Sequence, residues 1–204
     1  MSTPPVQEPE VDRGRELAML IGTFLVSFLA FSLGFGSWKF GLVFVLLILV
    51  HELGHVAEAR RQGLQVSLPT FIPFFGAFVT IRHAGIAPWR SALISLAGPL
   101  AGGLGAAVVW AVGEHRHQHW LLQLAYIGFL LNAGNLIPVG FLDGGGVARG
   151  ISGSRRGWIR YENGVPVEAM PPDNEHANLV LVLYLALAAA LVAGFLATRH
   201  SAML

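Results

Sequence analysis

The chain has no cysteine. That excludes disulfides and thiolate metal sites, so any metal must be held by histidine and carboxylate. Charge is also scarce. Asp, Glu, Lys and Arg make up 12% of 204 residues, whereas a soluble domain carries about 25%. The formal net charge is +1, which gives no electrostatic basis for binding nucleic acid. Lysine occurs once, at Lys39, and aspartate three times, at Asp12, Asp143 and Asp173. What fills the remainder is apolar: 54% of the residues are hydrophobic. The composition is that of a polytopic membrane protein, with the lipid bilayer as its solvent.

Five segments approach the roughly 20 apolar residues that span a hydrocarbon core. They are residues 17–36, 40–59, 91–112, 120–139 and 179–198. Trp38, Trp89 and Trp120 stand at span ends, as interfacial aromatics do. The polar, Pro-rich residues 1–16 lack a cleavage signal and are read as a cytoplasmic tail before a retained helix. With that end inside, ten cationic residues (Arg13, Arg15, Arg60, Arg61, Arg82, Arg90, Arg149, Arg155, Arg156, Arg160) fall on the cytoplasmic side. Three (Lys39, Arg116, Arg199) fall outside. This is a positive-inside bias. The expected division is a tail (1–16), a transmembrane unit (17–150, core 40–150), a cytoplasmic loop (151–177) and a final transmembrane helix (178–204).

Residues 64–81 break the helical pattern with Pro69, Pro73 and Gly76, and they favour strand through Phe, Val, Ile and Thr. Both ends lie inside by the charge count. A re-entrant or interfacial β-like loop packed against the functional site is the expected solution, because non-helical backbone at membrane depth must face protein or water. An interfacial connector without function is the alternative. Strand formers on either side of Asn163-Gly164 predict a small hairpin in the polar loop, with a plain linker as the alternative.

The most specific feature lies inside the second span: His51-Glu52-Leu53-Gly54-His55. On a helix this pentad places two imidazoles one turn apart on one face, where both can ligate one zinc ion. Ionisable groups at membrane depth are costly and mark function. A third ligand is usual at catalytic zinc. Asp143 follows the fourth span, and both the pentad and Asp143 fall toward the cytoplasmic side, the pentad about 13 Å of helix before Arg60. Asn135 precedes Asp143 by two helical turns, and its amide can serve substrate backbone, an oxyanion or interhelical packing. Asn132, on the same face, is read as a packing amide. Gly144-Gly145 allow a close turn or end a helix. Gly98 and Gly102 are read as helix-contact residues, and the histidines at 115, 117 and 119 as a solvated outer loop.

Together these residues resemble the site-2 protease family of intramembrane zinc metalloproteases. The pentad matches the family's first motif. Asn135, Pro138 and Leu142-Asp143-Gly144-Gly145 match its second. Phe71-Ile72-Pro73-Phe74-Phe75-Gly76-Ala77-Phe78 looks like its re-entrant segment, and Ala97-Gly98-Pro99-Leu100-Ala101 like its third-helix signature. The likeness covers roughly residues 40–150. Gly102 departs from it, standing where many members carry a polar residue, and so does Gly146. The resemblance implies an all-α polytopic fold of about five transmembrane helices, with a three-helix catalytic core and a re-entrant β-like loop. It also implies a minimal form with no room for a PDZ or CBS domain. One Zn2+ would be held by His51, His55 and Asp143, with Glu52 as general base. Asn135, Gly76, Ala77 and Phe78 would meet the substrate, a transmembrane protein cut to release a cytosolic fragment. The expected location is a bacterial or archaeal plasma membrane. Two rivals use the same residues: a metal transporter or sensor, and a pseudoprotease that binds membrane partners without cutting. A binding site does not need Glu52 beside its first ligand, which argues for the enzyme.

Overall fold

The computed structural model describes residues 12–82, 85–162 and 165–203. Six helices and six short strands follow in the order α1 (Arg13–Phe35), α2 (Trp38–Arg61), β1 (Gln65–Val66), β2 (Thr70–Ile72), β3 (Gly76–Phe78), β4 (Ile81–Arg82), α3 (Pro88–Arg116), α4 (His119–Asn135), α5 (Asp143–Arg156), β5 (Trp158–Glu162), β6 (Val165–Met170) and α6 (Asn174–Met203). Among the described residues, α1, α2, α3 and α6 are long and apolar enough to cross a membrane. The protein is an all-α polytopic membrane protein. The remaining expected span forms α4, whose 17 residues rise about 25 Å.

Proline explains why α4 stops at Asn135 rather than near residue 139. Pro138 has no N–H to donate, and it restricts the backbone of the residue before it. The chain leaves the helix in a turn over residues 136–142 and re-enters one at Asp143. Asn135 and Asp143 are therefore not two turns apart on one helix; each ends or begins its own. The α4 terminus would leave carbonyls unpartnered in an apolar setting. Tyr184 of α6 answers one of them, donating its hydroxyl to the Leu136 carbonyl at 2.7 Å.

Two apolar clusters hold the helices. Ala92, Leu96, Ala106, Phe129, Leu136, Val147, Val180 and Leu191 join α3, α4, α5 and α6. Phe31, Phe44, Val45, Phe71 and Leu124 join α1, α2, α4 and β2. Residues 151–156, expected in the polar loop, continue α5. The polar hairpin follows as β5 and β6, antiparallel from Trp158↔Met170 to Glu162↔Val165. Its Asn163-Gly164 turn lies outside the described residues. Asp173 caps α6: its carboxylate accepts from the His176 backbone N–H at 3.1 Å, which holds the carboxyl below the ordinary carboxylate range.

The segment between α2 and α3 is β-structured. β1 pairs with β4, and β2 pairs antiparallel with β3 through Thr70↔Phe78, Phe71↔Ala77 and Ile72↔Gly76. Positive φ at Phe74 (66°) and Gly76 (111°) forms the tight turn between them. Phe71 donates its N–H to the Thr23 hydroxyl of α1 at 3.2 Å. Phe71↔Ala77 is therefore the pair whose main-chain groups point away from each other. On β2 they point to α1. On β3, the Ala77 N–H and C=O face outward along the free edge of the sheet.

The Tyr184 bond generates a stability test. Tyr184→Phe leaves the Leu136 carbonyl unpartnered, at a cost of about 1–3 kcal/mol. Denaturant unfolding of the purified protein in detergent measures it. An unchanged midpoint would mean that water or a neighbour satisfies that carbonyl.

Candidate functional site

The pentad sits in the C-terminal half of α2, and its three polar residues are buried. His51 and His55 are each 8% exposed and Glu52 is 7% exposed. One helical turn separates the imidazoles, so both reach the same point beside the helix. Asp143 arrives at that point from the first residue of α5, where the helix N-terminus favours an anion. His51 Nε2 lies 3.2 Å from His55 Nε2. It lies 3.2 Å from one Asp143 oxygen, and His55 Nε2 lies 3.3 Å from the other. A tetrahedral zinc with ligands at about 2.0–2.1 Å separates them by about 3.3–3.4 Å. The three side chains thus form one face of a coordination tetrahedron. Among the described residues this is the group that could hold a metal ion.

The partners of the two rings decide which atoms face that centre. His55 Nδ1 is 2.7 Å from the Ile94 carbonyl of α3. A carbonyl only accepts, so Nδ1 carries the proton and Nε2 presents a lone pair. His51 Nδ1 is 2.8 Å from Asn132 Oδ1 of α4, which imposes the same tautomer. Two imidazole lone pairs and a carboxylate then converge within hydrogen-bonding distance of one another. All three are electron-rich, and a cation between them removes the repulsion. The donor set therefore fits a divalent metal of the zinc type.

Small residues make this approach achievable. A Cβ on Gly98 would fall 2.2 Å from His55 Nε2, and one on Gly102 would fall 2.1 Å from Asn132 Oδ1. The α3 glycines thus clear space for His55 and for Asn132, rather than serving only helix contact. Gly144 and Gly145 are not turn glycines. Their missing side chains let the Leu136 and Gly140 carbonyls approach, at 2.1 and 2.7 Å from an added Cβ. Arg149 ties the same turn to α5 by donating to the Gly140 carbonyl at 2.7 Å.

The centre opens into a cavity of about 540 Å³. His51, Glu52, His55 and Asp143 line it, together with Asn132, Asn135, Gly76, Ala77 and Phe78. The residues nominated from sequence therefore share one cavity, although they come from α2, β3, α4 and α5. Exposed phenylalanines also line it: Phe74, Phe75 and Phe141 are 67%, 89% and 96% exposed. The sequence reading did not foresee the Asn132–His51 bond, the Ile94 acceptor or the steric role of Gly102. Two asparagines three residues apart in an apolar helix were the available signal for the first. Nothing in the sequence marks a particular main-chain carbonyl.

Comparison with known proteins agrees with this geometry. Residues 39–115, which contain the pentad and most of α3, match the family model described as Peptidase family M50. A zinc metalloprotease of Methanocaldococcus jannaschii is 26% identical over 153 residues, covering 71% of this chain and 44% of that protein. Stage IV sporulation protein FB of Bacillus subtilis is 30% identical over 132 residues, covering 63% of this chain and 46% of that protein. The chain thus spans less than half the length of these relatives. Pentad, convergent carboxylate and the match over residues 39–115 point the same way: this chain is similar to peptidase family M50 and to zinc metalloproteases.

Proposed function

We propose that this protein is a zinc-dependent intramembrane endopeptidase. Its substrate is a membrane protein, cut within or beside a transmembrane segment to release a cytosolic fragment. The observation that carries the reading is the placement of a metal-binding triangle, a buried carboxylate and a free strand edge around one cavity. The positive-inside count supports a cytoplasmic N-terminus and a site that opens toward the cytoplasmic side.

His51, His55 and Asp143 would hold zinc. When bound, the metal supplies Lewis acidity and makes a water nucleophilic near neutral pH. Glu52 carries out the proton transfers, taking a proton from the attacking water and delivering it to the leaving amine. Glu52 is buried one residue from His51 and is not one of the three side chains that converge on the metal point, which leaves its carboxylate available for proton transfer. The Asn135 amide faces the same cavity and is suited to donate to the substrate carbonyl as charge develops on its oxygen.

A helical substrate hides its amides in its own hydrogen bonds, so it must be extended before cleavage. The outward Ala77 N–H and C=O of β3 can pair with an extended substrate backbone as an added strand. Gly76 and Phe78 flank that edge, and Phe74, Phe75 and Phe141 give an apolar transmembrane segment a surface to approach.

Glu52→Gln removes the base and keeps the ligands. We expect zinc content to stay at the native level while turnover of a reconstituted transmembrane peptide falls about 10²–10⁴-fold. In membranes of cells carrying this variant, an uncut substrate should accumulate. Altered metal uptake with no altered fragment would favour a transporter, and retained turnover would remove Glu52 from the mechanism.

Ala77→Pro removes the outward N–H and leaves the Thr70↔Phe78 and Ile72↔Gly76 pairs intact. Turnover should fall at least tenfold with zinc content unchanged. Equal loss of both would indicate a folding defect instead, and native turnover would show that the edge does not bind substrate.

A further inference from the structure

Asn132 is 5% exposed and belongs to a mostly apolar helix. Both halves of its amide are committed. Nδ2 donates to the Gly128 carbonyl, one turn earlier in α4, at 2.7 Å. That carbonyl can only accept, so the amide nitrogen must face it. Oδ1 must then face His51, and it lies 2.8 Å from Nδ1. An amide oxygen can only accept, so Nδ1 must be the protonated ring nitrogen. The lone pair of His51 is thereby left on Nε2, 3.2 Å from His55 Nε2 and from Asp143. A chain of obligatory donors and acceptors thus runs from the α4 backbone to the metal face of the imidazole.

Packing alone does not account for this arrangement. A packing amide is satisfied by any donor or acceptor on a neighbouring helix, and an apolar side chain of equal volume replaces it at small cost. Here the opposing helix has been cleared for it: a Cβ on Gly102 would overlap Asn132 Oδ1, Cγ and Nδ2 at 2.1–2.7 Å. The amide sits against α3 at a point where only glycine leaves room, and its oxygen aims at a ligand. Both asparagines line the cavity, but the Asn132 oxygen is engaged by His51, which separates its role from that of Asn135.

We infer that Asn132 is a positioning residue for the metal centre: it fixes the tautomer and orientation of His51, and Gly102 is the space that permits it. This rests on the reading of His51, His55 and Asp143 as zinc ligands. Partners that orient a ligating histidine typically change metal affinity by about 10–100-fold when removed. Both amide atoms of Asn132 are engaged within the protein, so its effect is expected first in metal binding.

The test uses the full-length protein in detergent, stripped of metal. Three measurements are made: zinc affinity by chelator competition, the visible absorption of the Co2+ form, and the thermal midpoint of the metal-free protein. Asn132→Leu keeps the branched four-heavy-atom shape of the side chain and removes the acceptor. We expect zinc affinity to fall about 10–100-fold, with an altered Co2+ spectrum and a metal-free midpoint close to that of the native protein. Gly102→Ala leaves Asn132 chemically intact and displaces its amide, so it should weaken zinc in the same direction. It is the deciding variant if Asn132→Leu does not fold. Asp143→Ala is the control for the centre itself. If it loses zinc while Asn132→Leu binds within twofold of native, the inference fails and the ligand set stands. If Asn132→Leu lowers midpoint and affinity together with an unchanged Co2+ spectrum, Asn132 is structural only and the inference fails. If Asp143→Ala binds zinc as the native protein does, the ligand assignment itself fails.

Discussion

The structure depends on the convergence of three electron-rich side chains inside an apolar helical bundle. Two imidazoles and a carboxylate at 3.2–3.3 Å repel one another unless a cation lies among them. They are also costly to bury away from water. The surrounding helices are arranged to lower that cost. α3 supplies the Ile94 carbonyl to His55, α4 supplies Asn132 to His51, and α5 presents Asp143 at a helix N-terminus. Each of the four helices α2 to α5 contributes either a side chain of this triangle or a group hydrogen-bonded to one. A rigid-body shift of any of them would therefore be felt at the metal face.

The same logic explains features that look unrelated in the linear chain. Glycines at 98, 102, 144 and 145 bring helices and a turn close enough for short side chains to meet. Pro138 ends α4 and forces the turn that delivers Asp143. Tyr184, far from the chemistry in sequence, satisfies the Leu136 carbonyl exposed by that turn. Thr23 on α1 occupies one side of β2, and its consequence is a free edge on β3 within the cavity that holds the ligands. Support for the site is thus spread over every helix, whereas its reactive groups are few.

Much of this was legible in the sequence because the signals are local and chemically rare. A His-Glu-x-x-His pentad inside a span announces a metal face by helical spacing alone. Asp143 was identified because only three aspartates exist and one lies at matching depth. The strand character of residues 64–81 followed from their prolines and β-branched residues. What was not legible depends on tertiary placement. Residues 151–156 read as part of the polar loop, yet they continue α5, whose Gly150 and Gly153 pack against Pro88 and Ala92 of α3. Asn132 looked like a packing amide because its partner lies 81 residues away. The value of Gly102 is visible only once α3 and α4 are set side by side.

The central claim is that His51, His55 and Asp143 bind one zinc ion at this point. X-ray absorption at the zinc edge of the purified protein tests it most directly. The account predicts one zinc per chain with two imidazole nitrogens and one carboxylate oxygen at about 2.0–2.2 Å. It also predicts loss of one oxygen neighbour, or of the metal, in Asp143→Ala. Absence of stoichiometric zinc after metal loading, or a shell with more or fewer than two imidazoles, would contradict it.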